Sequence, residues 1–224
     1  MTEAQEGTTS HPSIFAVKDC ALIAIATGKQ DYTLSELRND LQTVSPDSIY
    51  YHFWGSLLQP RFEEREFNND FAGWARHSLH DNRLAERLAV IDPTDYKDLE
   101  ELRRDLSDII EEHLDNESSI SWIRANRPFE FIRSQIVVFD THRRLQEPAE
   151  LAQLIPRLSP SSIFYHFIDA RRRLANDGDD FRLWLSSYNG QYDGLCQDLS
   201  AVDPYFGNLS ELRNQLTDIF NRYF

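Results

Sequence analysis

The feature that most constrains this chain is a nine-residue stretch that occurs twice. The sequence reads SPDSIYYHF at 45–53 and SPSSIFYHF at 159–167, and seven of the nine positions are identical. An internal repeat decides the architecture before any single element is considered, because each copy must build the same supersecondary unit. Two of the retained side chains in each copy, a tyrosine and a histidine, are ones that a plain core helix does not need.

The similarity extends over the whole length in the same order, with offsets of 114, then 110, 111 and again 110 residues. Representative aligned pairs are Phe15/Phe129, Leu37/Leu151, Ser45/Ser159, Trp74/Trp184, Asp92/Asp203 and Leu99/Leu209. We therefore predict two homologous copies at 14–114 and 128–224, packed with pseudo-two-fold symmetry. A disordered tail is predicted at 1–13 and a linker at 115–127, in which we expect Trp122 to dock between the copies.

Start signals predict several helices in each copy. Thr33 is followed three residues later by Glu36, which is a capping-box pattern. Serine followed by proline at Ser45-Pro46, and again at Ser159-Pro160, is typical of an N-cap and the first helical position. These patterns indicate a short helix and then the helix that carries the repeated motif.

The remaining elements are also predicted to be helical. Asp70 and Asp180 are expected to be N-caps of a third helix in each copy. The apolar stretch at 14–28 fits a buried helix or a buried strand, and periodicity alone does not separate the two. We favour a helix because the elements that follow are helical. The fold class predicted is mainly α, with about five helices in each repeat.

Three motifs in the first copy resemble those of a prokaryotic family of unknown function. They are SIYYH at 48–52, NDFA with a tryptophan at 69–74, and ERLA followed by Ile-Asp at 86–92. The second copy matches more loosely, at 162–166 and 180–184. This resemblance implies the domain limits, and it implies no activity.

Charge and composition exclude some classes of function. The net charge of −14 argues against binding nucleic acid through phosphates, which requires basic surfaces. Residues 14–114 hold 11 basic and 20 acidic side chains, a net of −9, so the first copy is the more acidic. No apolar run reaches the length of a membrane span, and two distant cysteines suggest no disulfide framework. We expect a cytoplasmic protein that does not bind membranes.

The repeated Tyr51-His52 and Tyr165-His166 pairs are the strongest candidates for function. On a helix they lie off the main apolar face in both copies. One interpretation is structural, with the helix buried all round and the hydroxyl and imidazole bonded to neighbouring helices, such as that of Trp74 or Asp70. The other interpretation places each pair in a pocket or interface. The structural interpretation is favoured, because a Tyr-His pair is an unspecific signature.

Other candidates are weaker. His77, His80 and Asp81 have a spacing that could bind a metal, but the arrangement is absent from the second copy, so surface histidines explain it better. Arg172 and Arg173, in a run of three arginines, could pair with the acidic face of the first copy, or bind a small anion or a phosphosugar. No catalytic residue, metal or cofactor is predicted.

The function predicted is that of a non-enzymatic interaction or scaffold protein, with a protein partner or self-association. The alternative is a protein or enzyme that binds a small ligand through Tyr51, His52, Tyr165, His166, Arg172 and Arg173.

Overall fold

The computed structural model of the protein describes residues 14–59, 66–116, 122–174, 178–205 and 207–224. The predicted disordered tail at 1–13 lies outside these residues. Helices and one two-stranded sheet make up the described structure.

The prediction of a mainly α-helical fold is wrong, because the first element of each half is a long β-strand. Strand β1 spans Phe15–Asp31 and strand β2 spans Phe129–Leu145, and the two pair as an antiparallel sheet. Their residues are buried at the ends and mostly exposed in the middle, so the apolar run at 20–26 does not mark a buried helix. The partner strand is more than a hundred residues away, and local periodicity carries no signal of it.

The helices of the first half follow β1 in chain order. They are α1 (Leu34–Leu41), α2 (Pro46–Trp54), α3 (Asp70–His77), α4 (Asn82–Ala89) and α5 (Leu99–Asn116), with a 3₁₀ turn at Gly55–Leu58 after α2.

The helices of the second half follow β2. They are α6 (Pro148–Leu154), α7 (Pro160–Ile163), α8 (Ala170–Arg173), α9 (Asp180–Ser186), α10 (Asp193–Ser200) and α11 (Leu209–Phe220). A 3₁₀ turn at Ile155–Arg157 follows α6, and a π-helical segment at Phe164–Asp169 joins α7 to α8.

Most of the predicted helix starts are confirmed. Thr33 and Glu36 form a complete capping box at α1, and the Ser45 and Ser159 side chains cap α2 and α7. The predicted caps Asp70 and Asp180 are displaced by one residue. Asn69 and Asp179 are the N-caps, with extended backbones and side chains that accept the N–H of Ala72 and Arg182.

The described chain divides into two compact units. The N-terminal unit contains Cys20–Val138 and Asp203–Glu211, and the C-terminal unit contains residues 14–19, Phe139–Val202 and Leu212–Phe224. The first residues of β1 therefore belong with the helices of the second half, and the first residues of β2 belong with those of the first half. Phe15 packs on Phe181 and Trp184 in the C-terminal unit.

The same packing recurs in the N-terminal unit, where Phe129 stacks on Phe71 at 4.8 Å and contacts Trp74. Further along the strands, Gly28 in β1 and His142 in β2 both have left-handed backbones, with φ of 81° and 60°. These two positions are related by the 114-residue offset. A glycine adopts this conformation without steric cost, whereas a histidine does so less easily.

The structure also bears on Trp122 and on membrane-spanning helices. Trp122, which was expected to dock between the copies, has 86% of its surface exposed, so that prediction is wrong. Among the described helices none combines the length and the apolar character needed to cross a bilayer.

Candidate functional site

A serine and a histidine one helical turn apart on α2 hydrogen-bond to the backbone of β2. The Ser48 hydroxyl donates to the carbonyl of Ile132 at 2.7 Å, and the Ile132 N–H donates to His52 Nε2 at 3.2 Å. Positions i and i+4 lie on the same face of a helix, which lets the two side chains reach one residue. A side-chain pair therefore satisfies both backbone groups of one strand residue, as a neighbouring strand would.

The C-terminal unit contains the same arrangement at positions offset by 114. Ser162 donates to the carbonyl of Lys18 at 2.7 Å, and the Lys18 N–H donates to His166 Nε2 at 2.9 Å. We call each set a Ser–His clip: Ser48, His52 and Ile132 in one unit, and Ser162, His166 and Lys18 in the other. The clips explain why serine and histidine stand in both copies of the motif.

A carboxylate fixes each histidine ring from its other side. His52 Nδ1 lies 2.9 Å from Asp70 Oδ2, and His166 Nδ1 lies 2.7 Å from Asp180 Oδ2. Because Nε2 accepts a backbone N–H, Nδ1 must carry the proton that is shared with the carboxylate. Both ring nitrogens are engaged in each case. Neither histidine has a nitrogen left to take a proton from a substrate.

Aromatic rings enclose both histidines. His52 lies 4.7 Å from the Phe129 ring and His166 lies 5.0 Å from the Phe15 ring, measured between ring centroids. Both histidines are buried. The structural interpretation of the repeated motif expected the imidazole to bond to a neighbouring helix such as that of Trp74 or Asp70, and His52 bonds to Asp70 at the start of α3.

In the C-terminal unit, an arginine covers the tyrosine and the carboxylate beside the clip. The Arg173 guanidinium lies 4.0 Å from the centre of the Tyr165 ring and donates to the Tyr165 carbonyl at 2.9 Å. It also donates to Asp180 at 3.0 Å and to Asp169 at 2.9 Å. A guanidinium over an aromatic face and between carboxylates is stabilised by cation–π attraction and by charge-assisted hydrogen bonds.

The ionisation of these groups reflects the pairing. Burial alone would raise the pKa of Asp180, but hydrogen bonds from His166 and Arg173 lower it below its ordinary value. Burial alone would lower the pKa of Arg173, but its bond to Asp180 raises it. The neighbouring Arg172 donates twice to Asp169, whose side chain is 1% exposed. Arg172 and Arg173 are thus both engaged with carboxylates of their own unit.

The corresponding region of the N-terminal unit is an open cleft of about 520 Å³, which we call the Tyr51 cleft. Asp70 in this cleft has a side chain that is 39% exposed, against 16% for Asp180. The residues that line the cleft are Tyr51, His52, Ser56, Gln59, Asp70, Trp74, Arg127, Pro128, Phe129, Glu130 and Ile132. Carboxylates, a guanidinium, a hydroxyl, an amide and aromatic rings therefore meet at one opening.

Two sequence differences accompany this opening. At the 114-residue offset Gln59 stands in place of Arg173, and its amide donates to the Tyr51 hydroxyl at 3.0 Å. Gly55 stands in place of Asp169, and a Cβ there would come within 2.8 Å of the Tyr51 ring. The Tyr51 ring therefore lies against the backbone of Gly55, and a larger side chain at residue 55 would clash with the ring.

Ser56 supplies a further polar group in the Tyr51 cleft. Its residue is 6% exposed, and its hydroxyl has no hydrogen-bond partner among the described residues. A buried hydroxyl without a partner costs free energy, so such a group is usually matched by water or by a ligand.

The weaker candidates are placed elsewhere. Asp81 caps α4 and accepts from buried His113, His77 contacts Glu66, and His80 contacts Asn126. No cluster of three or more metal-ligating side chains occurs among residues that the structure describes.

Sequence reasoning found the histidines and missed Ser48, Ser162 and Ser56. The spacing of serine and histidine by four residues, identical in both copies, was the available signal. For Ser56 the signal was weaker: the copies differ at Ser56/Ala170 and Gln59/Arg173, directly after the motif.

Comparison with known proteins gives a family and a structural relative. A family described as of unknown function, DUF5752, matches residues 12–221. The solved structure of OrfY from Thermoproteus tenax is similar, with a TM-score of 0.81, 24% identity, and coverage of 94% of this chain and 95% of that one. At this identity the likeness shows the fold. No curated protein matches the chain.

Proposed function

We propose that this protein, which belongs to the DUF5752 family of unknown function, acts by binding a partner and not by catalysis. The engagement of the histidines carries this proposal. His52 and His166 are each held between a carboxylate and a backbone N–H, so neither is poised as an acid or a base. The Tyr51 cleft supplies the recognition surface, because it is the place where polar groups of several kinds converge beside an opening.

A small ligand is the second candidate, and the size of the cleft favours it. A volume of about 520 Å³ lies within the range of small-molecule pockets. The contacts of Arg172 and Arg173 argue against an anion or phosphosugar site beside Tyr165, since both guanidinium groups are already paired with Asp169 or Asp180. We therefore place binding in the N-terminal unit and a structural network in the C-terminal unit.

We also infer that the two halves arose by tandem duplication, with copies at 14–114 and 128–224. The two Ser–His clips support this inference, because they join equivalent residues at one offset.

The free thiols of Cys20 and Cys196 support the expected cytoplasmic location.

The experiment is a ligand screen followed by NMR of the tryptophan indole N–H signals. The Trp74 indole donates to the Arg127 carbonyl at the cleft, whereas Trp184 occupies the equivalent place in the C-terminal unit and serves as an internal reference. We expect at least one class among cationic, anionic and neutral polar compounds and short peptides to shift Trp74 selectively and to be recovered unchanged.

Two results would overturn the proposal. One is that no class of compound shifts the Trp74 indole signal relative to that of Trp184. The other is that the protein converts a compound chemically and that the His52→Gln variant, shown by circular dichroism to be folded, does not.

A further inference from the structure

Strand β1 ends in a buried carboxyl group. Asp31 is the last residue of the strand and is 4% exposed. Its Oδ2 atom is buried and has no hydrogen-bond partner among the residues that the structure describes. An ionised carboxylate in such a place is costly, because it loses its hydration and gains no hydrogen bond in return.

The C-terminal unit has an apolar residue at the equivalent position. Leu145 lies 114 residues after Asp31, is the last residue of β2 and is also buried. The two units pack the beginnings of their strands alike, and the strand ends correspond in the same way. Asp31 therefore stands where the other copy of the fold buries an uncharged side chain, which suits the neutral form of a carboxyl group.

The charges around Asp31 also favour its neutral form. Burial, followed by repulsion from Asp40 and Glu36 on α1, raises the pKa of Asp31 to about 7, although Lys29 on β1 lowers it in part. The Lys29 ammonium group is engaged elsewhere, since it donates to Asp40 at 2.9 Å and to the Thr43 hydroxyl at 2.8 Å. The cation on this strand thus compensates Asp40 and leaves Asp31 without an ion pair to it.

The residue after Asp31 joins three segments of the N-terminal unit. The Tyr32 carbonyl accepts the N–H of Ala125 at 2.7 Å, and the Arg124 guanidinium lies 3.8 Å from the centre of the Tyr32 ring. The Tyr32 N–H donates to Glu36 at 2.8 Å, and this bond, with a smaller contribution from Arg124, lowers the pKa of Glu36. We call these four residues the strand-end junction, because β1, α1 and the segment before β2 meet there.

We propose that Asp31 is a proton-operated switch, which keeps the strand-end junction closed when it is neutral and loosens the junction when it is ionised. An ionised Asp31 is stabilised by hydration, and hydration of a buried group requires that neighbouring contacts open. The adjoining contacts are those of Tyr32 with Arg124 and Ala125. This inference is independent of the proposed binding function, because it concerns the stability of the junction alone.

The pH dependence of the switch has a definite sign. In the open junction Asp31 is hydrated and ionises near its ordinary pKa of 3.8, whereas in the closed junction it keeps its proton up to about pH 7. Opening therefore becomes easier as the pH rises from about 4 to about 7, and at higher pH it no longer depends on Asp31. We expect the equilibrium constant for opening to rise by more than about tenfold between pH 5 and pH 7.

The test measures hydrogen exchange of the Ala125 amide in the full chain by NMR, with each rate divided by the intrinsic exchange rate at the same pH. The Lys18 amide, which the Ser–His clip of the C-terminal unit holds, is the reference. We expect the protection of Ala125 to fall by more than about tenfold relative to that of Lys18 between pH 5 and pH 7. Equal changes at both amides, or constant protection of Ala125, would overturn the proposal.

The matched variants are Asp31→Asn, which keeps the shape of the side chain, and Asp31→Leu, which copies Leu145. Neither side chain ionises, so we expect the protection of Ala125 relative to Lys18 to become independent of pH. Each variant should also raise the melting temperature more at pH 8 than at pH 5. One folded variant is sufficient for the test, and a pH dependence of Ala125 that persists in it would contradict the proposal.

The carbon-13 signal of the Asp31 carboxyl group reports its ionisation directly. We expect a midpoint near pH 7 in the wild type and a lower midpoint in Asp40→Asn, which removes a like charge and releases Lys29 to pair with Asp31. A wild-type midpoint near pH 4 would show that the closed junction accepts an ionised Asp31, and the switch would be disproved.

Discussion

At the scale of single residues, an amide in one unit is replaced by a carboxylate in the other. Asn69 caps α3 through its side-chain oxygen and donates from Nδ2 to the carbonyl of Leu88 at 2.9 Å. Asp179 caps α9 in the same way, but its Oδ2 is buried and has no hydrogen-bond partner among the described residues. Burial raises the pKa of Asp179 to about 6, although neighbouring groups lower it in part.

We predict that Asp179→Asn stabilises the protein. We expect the new amide to keep the cap and to donate to the carbonyl of Leu199, because Leu199 corresponds to Leu88, the acceptor of the Asn69 amide, at the 111-residue offset. The expected gain in the free energy of unfolding is about 1 kcal/mol at pH 7, measured by chemical denaturation.

The pH dependence of this gain has a definite sign. A carboxyl whose pKa is raised in the folded state holds its proton more tightly there, so wild-type stability falls as pH rises from about 4 to about 6. The advantage of Asp179→Asn should therefore grow over that window and stay constant above it. The matched control Asn69→Asp should lose stability, and a stabilised Asn69→Asp variant would contradict the explanation.

At the scale of elements, the Ser–His clip joins a helix to a strand of the other half of the sequence. Removal of one hydroxyl leaves a strand carbonyl without its partner, because Ser48 and Ser162 are both buried. We predict that Ser48→Ala and Ser162→Ala each lower the free energy of unfolding by about 1 to 2 kcal/mol.

Ser186→Ala is the control for this measurement. Ser186 is exposed and donates to Leu183 within its own helix, so the change should be within about 0.5 kcal/mol. Equal effects for the three variants in urea denaturation would show that the clips contribute nothing.

The helices could be predicted from sequence where their signals are local. Thr33 with Glu36, and Ser45 and Ser159 before proline, lie within a few residues of the helix starts that they mark. Asn69 and Asp179 were missed by one residue, because two adjacent capping residue types stand at each start. Strands β1 and β2 could not be predicted in this way, because their pairing joins segments far apart in sequence.

At the scale of the whole molecule, each compact unit combines helices of one half with the leading strand residues of the other. Phe129 packs among residues of the first half and Phe15 among those of the second. A chain organised in this way cannot complete either aromatic cluster from one half alone. The candidate site follows the same rule, since Arg127 and Glu130 complete a cleft whose tyrosine and histidine come from α2.

The repeated histidines were visible in the sequence, but their role was not. An identical Tyr-His pair in two copies fits a structural requirement as well as a functional one. The two copies differ at Gln59 and Arg173, which follow the repeated motif. Gln59 donates to the Tyr51 hydroxyl, whereas the Arg173 guanidinium lies over the Tyr165 ring. The distinction depends on side-chain contacts that no spacing rule encodes.

The most direct test of the Ser–His clip is nitrogen-15 NMR of His52 and His166. The clip predicts the Nδ1–H tautomer for both rings and a scalar coupling across the N–H···N hydrogen bond from Ile132 to His52 Nε2, and likewise from Lys18 to His166 Nε2. Rings protonated at Nε2, with no coupling to these strand amides, would contradict it.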